Sequence, residues 1–313
     1  MKQLGVAVIG TGSWGRNHVR VYCQLPEASL KSVVDMSEST SRMVGEQYNV
    51  KHYVDPLKAL EDPEVEAVSI CTPTVTHFDL AKKALLHGKH VLVEKPMTNT
   101  VEEAEELINL AKENGRYISV GFVERFNPAV REAVRLATNG DIGDVILAHT
   151  KRVSRRPGRI GDVGVIKDLA IHDVDIVNRL FGDDAITVFA NAGSIAHAFE
   201  DYANIQVCYE NNRSAFIETN WLTPRKIRTL TITGTEGIIT VEYITQQILV
   251  ENNEKLVQPF LQSEEPLYKE LESFVTNILG RRSPEVTGED GLKALKICEA
   301  AIESAKTGRQ IFL

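Results

Sequence analysis

The chain has 313 residues, 43% of them hydrophobic and 25% charged, which is ordinary for a globular protein and too long for one small core. Its formal net charge of −8 argues against a nucleic-acid backbone as the main partner. Four scattered cysteines (Cys23, Cys71, Cys208, Cys298) form no C-x-x-C pair, which fits reduced thiols in a cytoplasmic protein, and no uncharged apolar run approaches a membrane span.

The first predicted strand, LGVAVI (4–9), runs straight into Gly10-Thr11-Gly12-Ser13-Trp14-Gly15. This G-x-G-x-x-G string follows a strand, opens a helix, and is followed twenty residues past Gly15 by Asp35, at the end of the second strand, LKSVVD (30–35). That context marks a dinucleotide site. Gly10 permits the tight turn and Gly12 a close approach of backbone to pyrophosphate. Gly15 allows helix against strand, and Ser13 and Trp14 complete the turn. The bland alternative is a glycine-rich turn without a ligand. Asp35 suits two ribose hydroxyls and repels a 2′-phosphate, and Met36-Ser37 adds no arginine, so NAD is expected over NADP.

Further strands are predicted at VEAVSIC (65–71), HVLVE (90–94) and YISVG (117–121). Helical patterns lie between them at FDLAKKALLHG (78–88) and VEEAEELINLAKENG (101–115), the latter capped by Asn99 or Thr100. Strand–helix alternation with near-continuous apolar strands predicts a doubly wound parallel sheet over residues 1–122. Residues 123–313 follow a different grammar. PAVREAVRLATNG reads as a helix, VILAHTKRV as a strand and KDLAIHDVDIVNRLFG as a helix. Six β-like runs follow without intervening helices, separated by turn signals such as Asn211-Asn212 and Gly234, and two terminal helices close the chain. The expectation is an α+β domain with a large, mostly antiparallel sheet and helices on one face. Such a sheet needs cover on both faces, which predicts a homodimer or homotetramer through its open side.

KDLAIHDVDIV (167–177) places Asp168, His172 and Asp175 within a narrow arc of an otherwise apolar helix. Buried together, they must be paired or working. His172 has the range to take a hydroxyl proton, and Asp168 can orient it or bond substrate. Asp175 is read as an ion pair with Arg179, four residues on. No further His or Cys cluster completes a metal shell, so no metal is expected. Lys95 ends a parallel strand, where open α/β sheets bind ligands. The bland alternatives are a solvated lysine and a core histidine satisfied by a carbonyl.

Val93-Glu94-Lys95-Pro96 after a Rossmann half, then D-x-x-x-H on a helix opening a β-rich half, resembles the glucose–fructose oxidoreductase/inositol dehydrogenase/MocA family over essentially the whole chain. The resemblance implies that Lys95, Asp168 and His172 surround the substrate carbon facing the nicotinamide. It also implies that Thr72, Pro73, His77, Glu94 and Lys95 belong to the cofactor loops, with Glu94 able to hold Lys95. Two positions depart from the family pattern: Thr74 where Asn is frequent, and Ala170 where Gly is frequent.

Glu124-Arg125-Phe126-Asn127-Pro128, Asp162 to Ile166, Asn220 to Pro224 and Thr233 to Gly237 resemble the family's nucleotide-sugar branch. The implied activity is hydride transfer from a secondary ring hydroxyl, at C3, of a nucleotide sugar such as UDP-N-acetylglucosamine, with Arg125 and Asn127 among the substrate contacts. Lys151, Arg152, Arg155, Arg156 and Arg159 form a basic stretch, and arginine forks suit a diphosphate. Arg155, Arg156 and Arg159 are therefore expected to bind the UDP moiety. A solvated loop or subunit contact is the alternative. Rival functions are an inositol or free-sugar dehydrogenase, an NAD-dependent glycosidase on the same fold, and a non-catalytic NAD-binding regulator.

Overall fold

The computed structural model describes residues 2–156 and 161–313. It divides into two compact units, Met1–Val123 with Leu267–Leu292, and Glu124–Pro266 with Lys293–Leu313.

In the first unit six parallel strands alternate with helices; five follow the predicted apolar runs, and the sixth, the short polar edge strand at Lys51–Tyr53, is not among them. In chain order these are β1 (Leu4–Ile9), α1 (Gly15–Gln24), β2 (Ala28–Val34), α2 (Glu38–Tyr48), β3 (Lys51–Tyr53), α3 (Leu57–Leu60), β4 (Ala67–Ile70), α4 (His77–Leu86), β5 (His90–Glu94), α5 (Val101–Glu113) and β6 (Ile118–Gly121). The sheet order is β3-β2-β1-β4-β5-β6. The order reverses beside β1, so the carboxyl ends of β1, β4 and β5 form the crevice edge where such sheets bind ligands. β1 is buried along its whole length, the signature of a strand covered on both faces. α5 starts with a capping box: Thr100 accepts from the Glu103 amide, and the Glu103 carboxylate accepts from the Thr100 amide.

The second unit contains α6 (Pro128–Thr138), β7 (Val145–Arg155), α7 (Ile171–Phe181), β8 (Thr187–Gly193), β9 (Tyr202–Cys208), β10 (Ser214–Asn220), β11 (Leu222–Gly234), β12 (Gly237–Glu242), β13 (Gln247–Asn252) and the short β14 (Leu256–Val257). Among the described residues its sheet has nine strands in the order β14-β13-β12-β11-β7-β10-β9-β8-β15, where β15 is Ile311–Phe312. Every pair is antiparallel except β10 with β7. β7 sits between strands that come later in sequence, and the long path through α7, β8 and β9 returns β10 beside it in the same direction. Along β7, Ala148, Thr150 and Arg152 are fully buried while Leu147, His149 and Lys151 are not, so one face carries the core and helices. Asn211 and Asn212, both at φ 57°, turn β9 into β10.

The expected division into 1–122 and 123–313 differs from the observed units at the C-terminal end. α8 (Pro266–Leu279) sends Leu267, Leu271, Phe274, Val275 and Ile278 into the core built on Leu4, Val6, Val8 and Tyr22. Its apolar stripe needs a partner, and the Rossmann sheet supplies it. α9 (Gly288–Thr307) begins in that unit, where Gly288 and Gly291 meet Ile118, Ile108, Val120 and Met97, and ends in the second.

Candidate active site

In the first unit the glycine turn is shaped from the backbone upward. Gly10 has φ +88°, and a Cβ there would meet the Cys71 carbonyl at 2.7 Å. A Cβ on Gly15 would collide with the Gly10 carbonyl, so both glycines are required by packing. Gly12 is different: a Cβ there would meet no protein atom within 4 Å. Its side faces open space, as a ligand-cradling position requires. α1 has no side-chain cap at Trp14 and no acid in its first turn, so its N-terminal dipole is left for an outside anion. Asp35 sits beside this turn. Its Oδ2 accepts from the Thr11 amide (2.9 Å) and hydroxyl (3.1 Å), and Oδ1 from the Ser37 amide (3.0 Å). Each oxygen retains acceptor capacity for a ribose hydroxyl. These residues fit a dinucleotide.

The loops after β4 and β5 are tied together by His77. It is buried, with Nδ1 2.8 Å from the Pro96 carbonyl and Nε2 2.9 Å from the Thr72 carbonyl. His77 therefore braces the loops that carry Thr72, Pro73 and Lys95. The sequence expected it as a cofactor contact, but its ring atoms are committed to backbone. Thr74 is buried where the following turn begins.

Glu94 has partners beyond the Lys95 that the resemblance indicated. Its Oε1 accepts from Trp14 Nε1 (2.7 Å) and lies 3.1 Å from His18 Nε2. Burial alone would raise its carboxyl, but the bonds from His18 and Trp14 and the charges of His18 and Lys95 outweigh this and hold it below the usual range. Gly121 makes room for that carboxylate, since a Cβ there would lie 2.7 Å from it. Glu94 thus pins α1 to the end of β5, and Lys95 follows directly, partly exposed.

In the second unit, residues Ile166–Ala170 form one π-helical turn that runs into α7, with the Ile171 amide bonded to the Ile166 carbonyl. Glu200 fixes its start, its carboxylate accepting from the Ile166 amide and its carbonyl from the Val165 amide. A Cβ on Gly164 would strike the Glu200 carboxylate. Asp168 (6% exposed), His172 (9%) and Asp175 (1%) are all buried, and Ala170 is fully enclosed.

Asp175 has a long-range partner that the sequence did not indicate. Arg125 donates Nε to Asp175 Oδ2 (2.7 Å) and Nη2 to Oδ1 (2.5 Å), a two-pronged geometry that a flexible i,i+4 pair does not match. Arg125 and Asn127, expected as substrate contacts, are both buried. Asn127 caps α6 through the Ala129 amide and donates to the Tyr243 carbonyl (3.0 Å). Both hold α6 and α7 in place.

The basic stretch also divides. Arg152 is buried, grips Asp173 with Nε (2.9 Å) and Nη2 (3.0 Å), donates Nη1 to Glu124 (2.9 Å), and stacks on the Tyr243 ring. Burial works against its charge, but Asp173 and Glu124 more than offset this and hold the guanidinium above its ordinary range. Lys151, on the other face, pairs with Glu218. Arg155 and Arg156 are exposed, and Arg159 lies outside the described residues. Sequence reasoning missed Asp173, Glu124 and Arg228. The alternation of Ala148, Thr150 and Arg152 along β7 was the available signal that Arg152 points inward.

The comparisons agree with this anatomy. Residues 4–122 match the model of an oxidoreductase family's NAD-binding Rossmann fold, and residues 134–313 that of its C-terminal alpha/beta domain, both named for GFO, IDH and MocA. The chain belongs to this family. Across 99% of the chain and 96% of the relative, it is 29% identical to scyllo-inositol 2-dehydrogenase (NAD(+)) of Bacillus subtilis. Across 94% and 95%, it is 27% identical to UDP-N-acetylglucosamine 3-dehydrogenase of Acidithiobacillus ferrooxidans. The solved structure of that enzyme, GnnA, superposes with a TM-score of 0.91 at 26% identity, covering 98% of this chain and 99% of that one. This Gfo/Idh/MocA chain is therefore an oxidoreductase with an NAD-binding Rossmann domain. Among its described residues no helix is long and apolar enough to cross a membrane.

Proposed function

We propose that this chain oxidises a secondary ring hydroxyl of a nucleotide sugar, UDP-N-acetylglucosamine at C3 being the reference substrate, with NAD rather than NADP. The observation that carries the reading is the placement of a carboxylate and an imidazole, Asp168 and His172, four residues apart. Both are more than nine-tenths buried on a helix start otherwise committed to packing. Bound NAD would accept the hydride at its nicotinamide. His172 and Lys95 would manage the hydroxyl proton, and Asp168 would orient the imidazole or the hydroxyl. The Asp35 carboxylate, beside the phosphate turn, supports NAD by repelling a 2′-phosphate. The exposed Arg155 and Arg156 support an anionic substrate.

A second reading, oxidation of a free polyol, is favoured by the full-length likeness to scyllo-inositol 2-dehydrogenase. The deciding experiment is NADH absorbance with a panel of UDP-sugars and free polyols. Higher kcat/KM on a UDP-sugar supports the first reading, and turnover of polyols alone supports the second. Absence of net NADH with every sugar overturns both in favour of a hydrolase or a regulator.

The proposal extends to a homodimer or homotetramer. On the sheet face opposite α7, Phe216 and Phe189 both register against Gln206, each nearly half exposed, with His149 paired to Phe216 and Leu147 nearby. A second copy of the same face would cover this apolar row. Phe189→Glu with Phe216→Glu should reduce the mass seen by light scattering to that of one chain. An unchanged mass would count against the role given to this face.

A further inference from the structure

The basic stretch at the end of β7 drew attention to Arg155 and Arg156, but the sheet brings a different pair of cations to the candidate site. Arg228 on β11 stands directly opposite Arg152 on β7 and shares its acceptor. Arg228 Nη1 donates to Glu124 Oε1 at 2.9 Å, the oxygen that also receives Arg152 Nη1 at 2.9 Å. The two arginines then diverge. Arg152 is sealed and divides its fork between Asp173 and Glu124. Arg228 keeps 27% of its side chain exposed, and the charge of Asp168 reaches it as well as that of Glu124. Lys226, two residues earlier at the irregular start of β11, has no hydrogen-bond or ion-pair partner among the described residues, and it too lies within reach of Glu124 and the two arginines.

Of the three cations here, Arg152 is sealed between Glu124 and Asp173, while Arg228 and Lys226 keep exposed surface from which an outside anion can be met. Burial and neighbouring like charge act on both outer cations. Burial and then the charge of Arg228 draw the Lys226 ammonium below its usual range. Burial and then Arg152 do the same to the Arg228 guanidinium. An incoming anion would relieve both. Arginine adds a planar fork and lysine a mobile point charge, a combination that suits an oxyanion with several acceptor oxygens.

The geometry points to Lys226 and Arg228 as the residues that recognise the diphosphate of a nucleotide-sugar substrate, on a strand whose Arg228 feels the charge of Asp168. This inference rests on the nucleotide-sugar reading above and adds residues that neither the motif nor the basic stretch indicated. Lys226 is the better test residue because it is exposed and supports no carboxylate, whereas changing Arg228 would also loosen Glu124.

The experiment is calorimetric titration of UDP into the NAD-loaded full chain and into its Lys226→Gln and Lys226→Arg variants, with galacturonate as a carboxylate control. Loss of one charge-assisted contact should weaken UDP about tenfold in Lys226→Gln and leave Lys226→Arg near the parent. The parent affinity should fall as salt rises. Equal UDP affinity in parent and Lys226→Gln overturns the proposal. So does dependence on Lys226 for galacturonate alone, which would mark a sugar-acid site. The parent's substrate panel is read separately. If it turns over only free polyols while Lys226→Gln still weakens UDP, the nucleotide-sugar activity fails and the anion site stands.

Discussion

The two units assemble their candidate sites with different physics. In the Rossmann unit the binding elements are mostly backbone: the Gly10 to Gly15 turn, the uncapped first turn of α1, and two loops braced by His77 on carbonyl oxygens. The second unit uses fixed charge. Arg152 clamps Asp173 and Glu124, and Arg125 clamps Asp175, so α7 is bolted to β7 and to the turn before α6. A surface meant for an outside anion leaves dipoles unsatisfied. A platform meant to hold an acid–base pair still spends its charges internally. The contrast separates residues whose loss should affect chemistry from residues whose loss should affect folding.

The largest expected effects are on turnover. His172→Asn and Lys95→Met should each lower single-turnover rates by about 10²–10⁴, the usual contribution of a general acid–base group, while thermal melts stay close to the parent. If these variants melt early and react at normal rates, the helix face is structural and the mechanism fails. Next come the clamps. Removing one partner of a buried ion pair, by Arg152→Met or Asp175→Asn, should cost roughly 3–5 kcal/mol in denaturant-measured stability, because the other charge is stranded. Normal stability in both would erase the distinction between the two regions. Asp35→Ser acts on the Rossmann side alone. It should lower kcat/KM for NAD by about tenfold and narrow the NAD/NADP ratio, since acceptor and repulsion vanish together. An unchanged ratio would remove Asp35 from cofactor selection.

The smallest effect is a pH slope confined to the Rossmann unit. His90 Nδ1 accepts from the Tyr117 amide at 3.0 Å, and burial together with Arg116 lowers the imidazole to about 4. Between its ordinary value near 6.5 and about 4 the unfolded chain binds the extra proton, so stability should fall as pH falls through that window. His90→Gln should flatten the slope in pH-dependent melts. Depressed carboxylates add a loss at lower pH. Glu124 is held down because Arg152 and Arg228 outweigh its burial, and it contributes stability that disappears as pH drops below the ordinary carboxylate range. A parent whose stability is flat from pH 7 to 4 would contradict the His90 assignment.

Local pattern sufficed wherever one segment carries its own constraint. Apolar runs and the helical stripes between them mark all the Rossmann strands but the polar edge strand β3, and the glycine string with Asp35 marks the phosphate turn. Asn211-Asn212 marks a hairpin, and Glu94-Lys95-Pro96 with Asp168 and His172 marks the family. Each of these depends on backbone sterics or side-chain periodicity within a few residues. Tertiary structure alone decided which charges meet. The carboxylate of Asp175 is gripped by Arg125, fifty residues away, in a two-pronged bond inside a dry site, a partner that the helical spacing to Arg179 gave no sign of. The same holds for α8, whose apolar stripe is legible but whose partner, the core on Leu4 and Tyr22, is not. It holds again for Arg228 beside Arg152, which only the antiparallel register of β11 on β7 sets face to face. Sequence encodes which groups need a partner. The partner is chosen by strand order and packing, which bring residues far apart in the chain to within bonding distance.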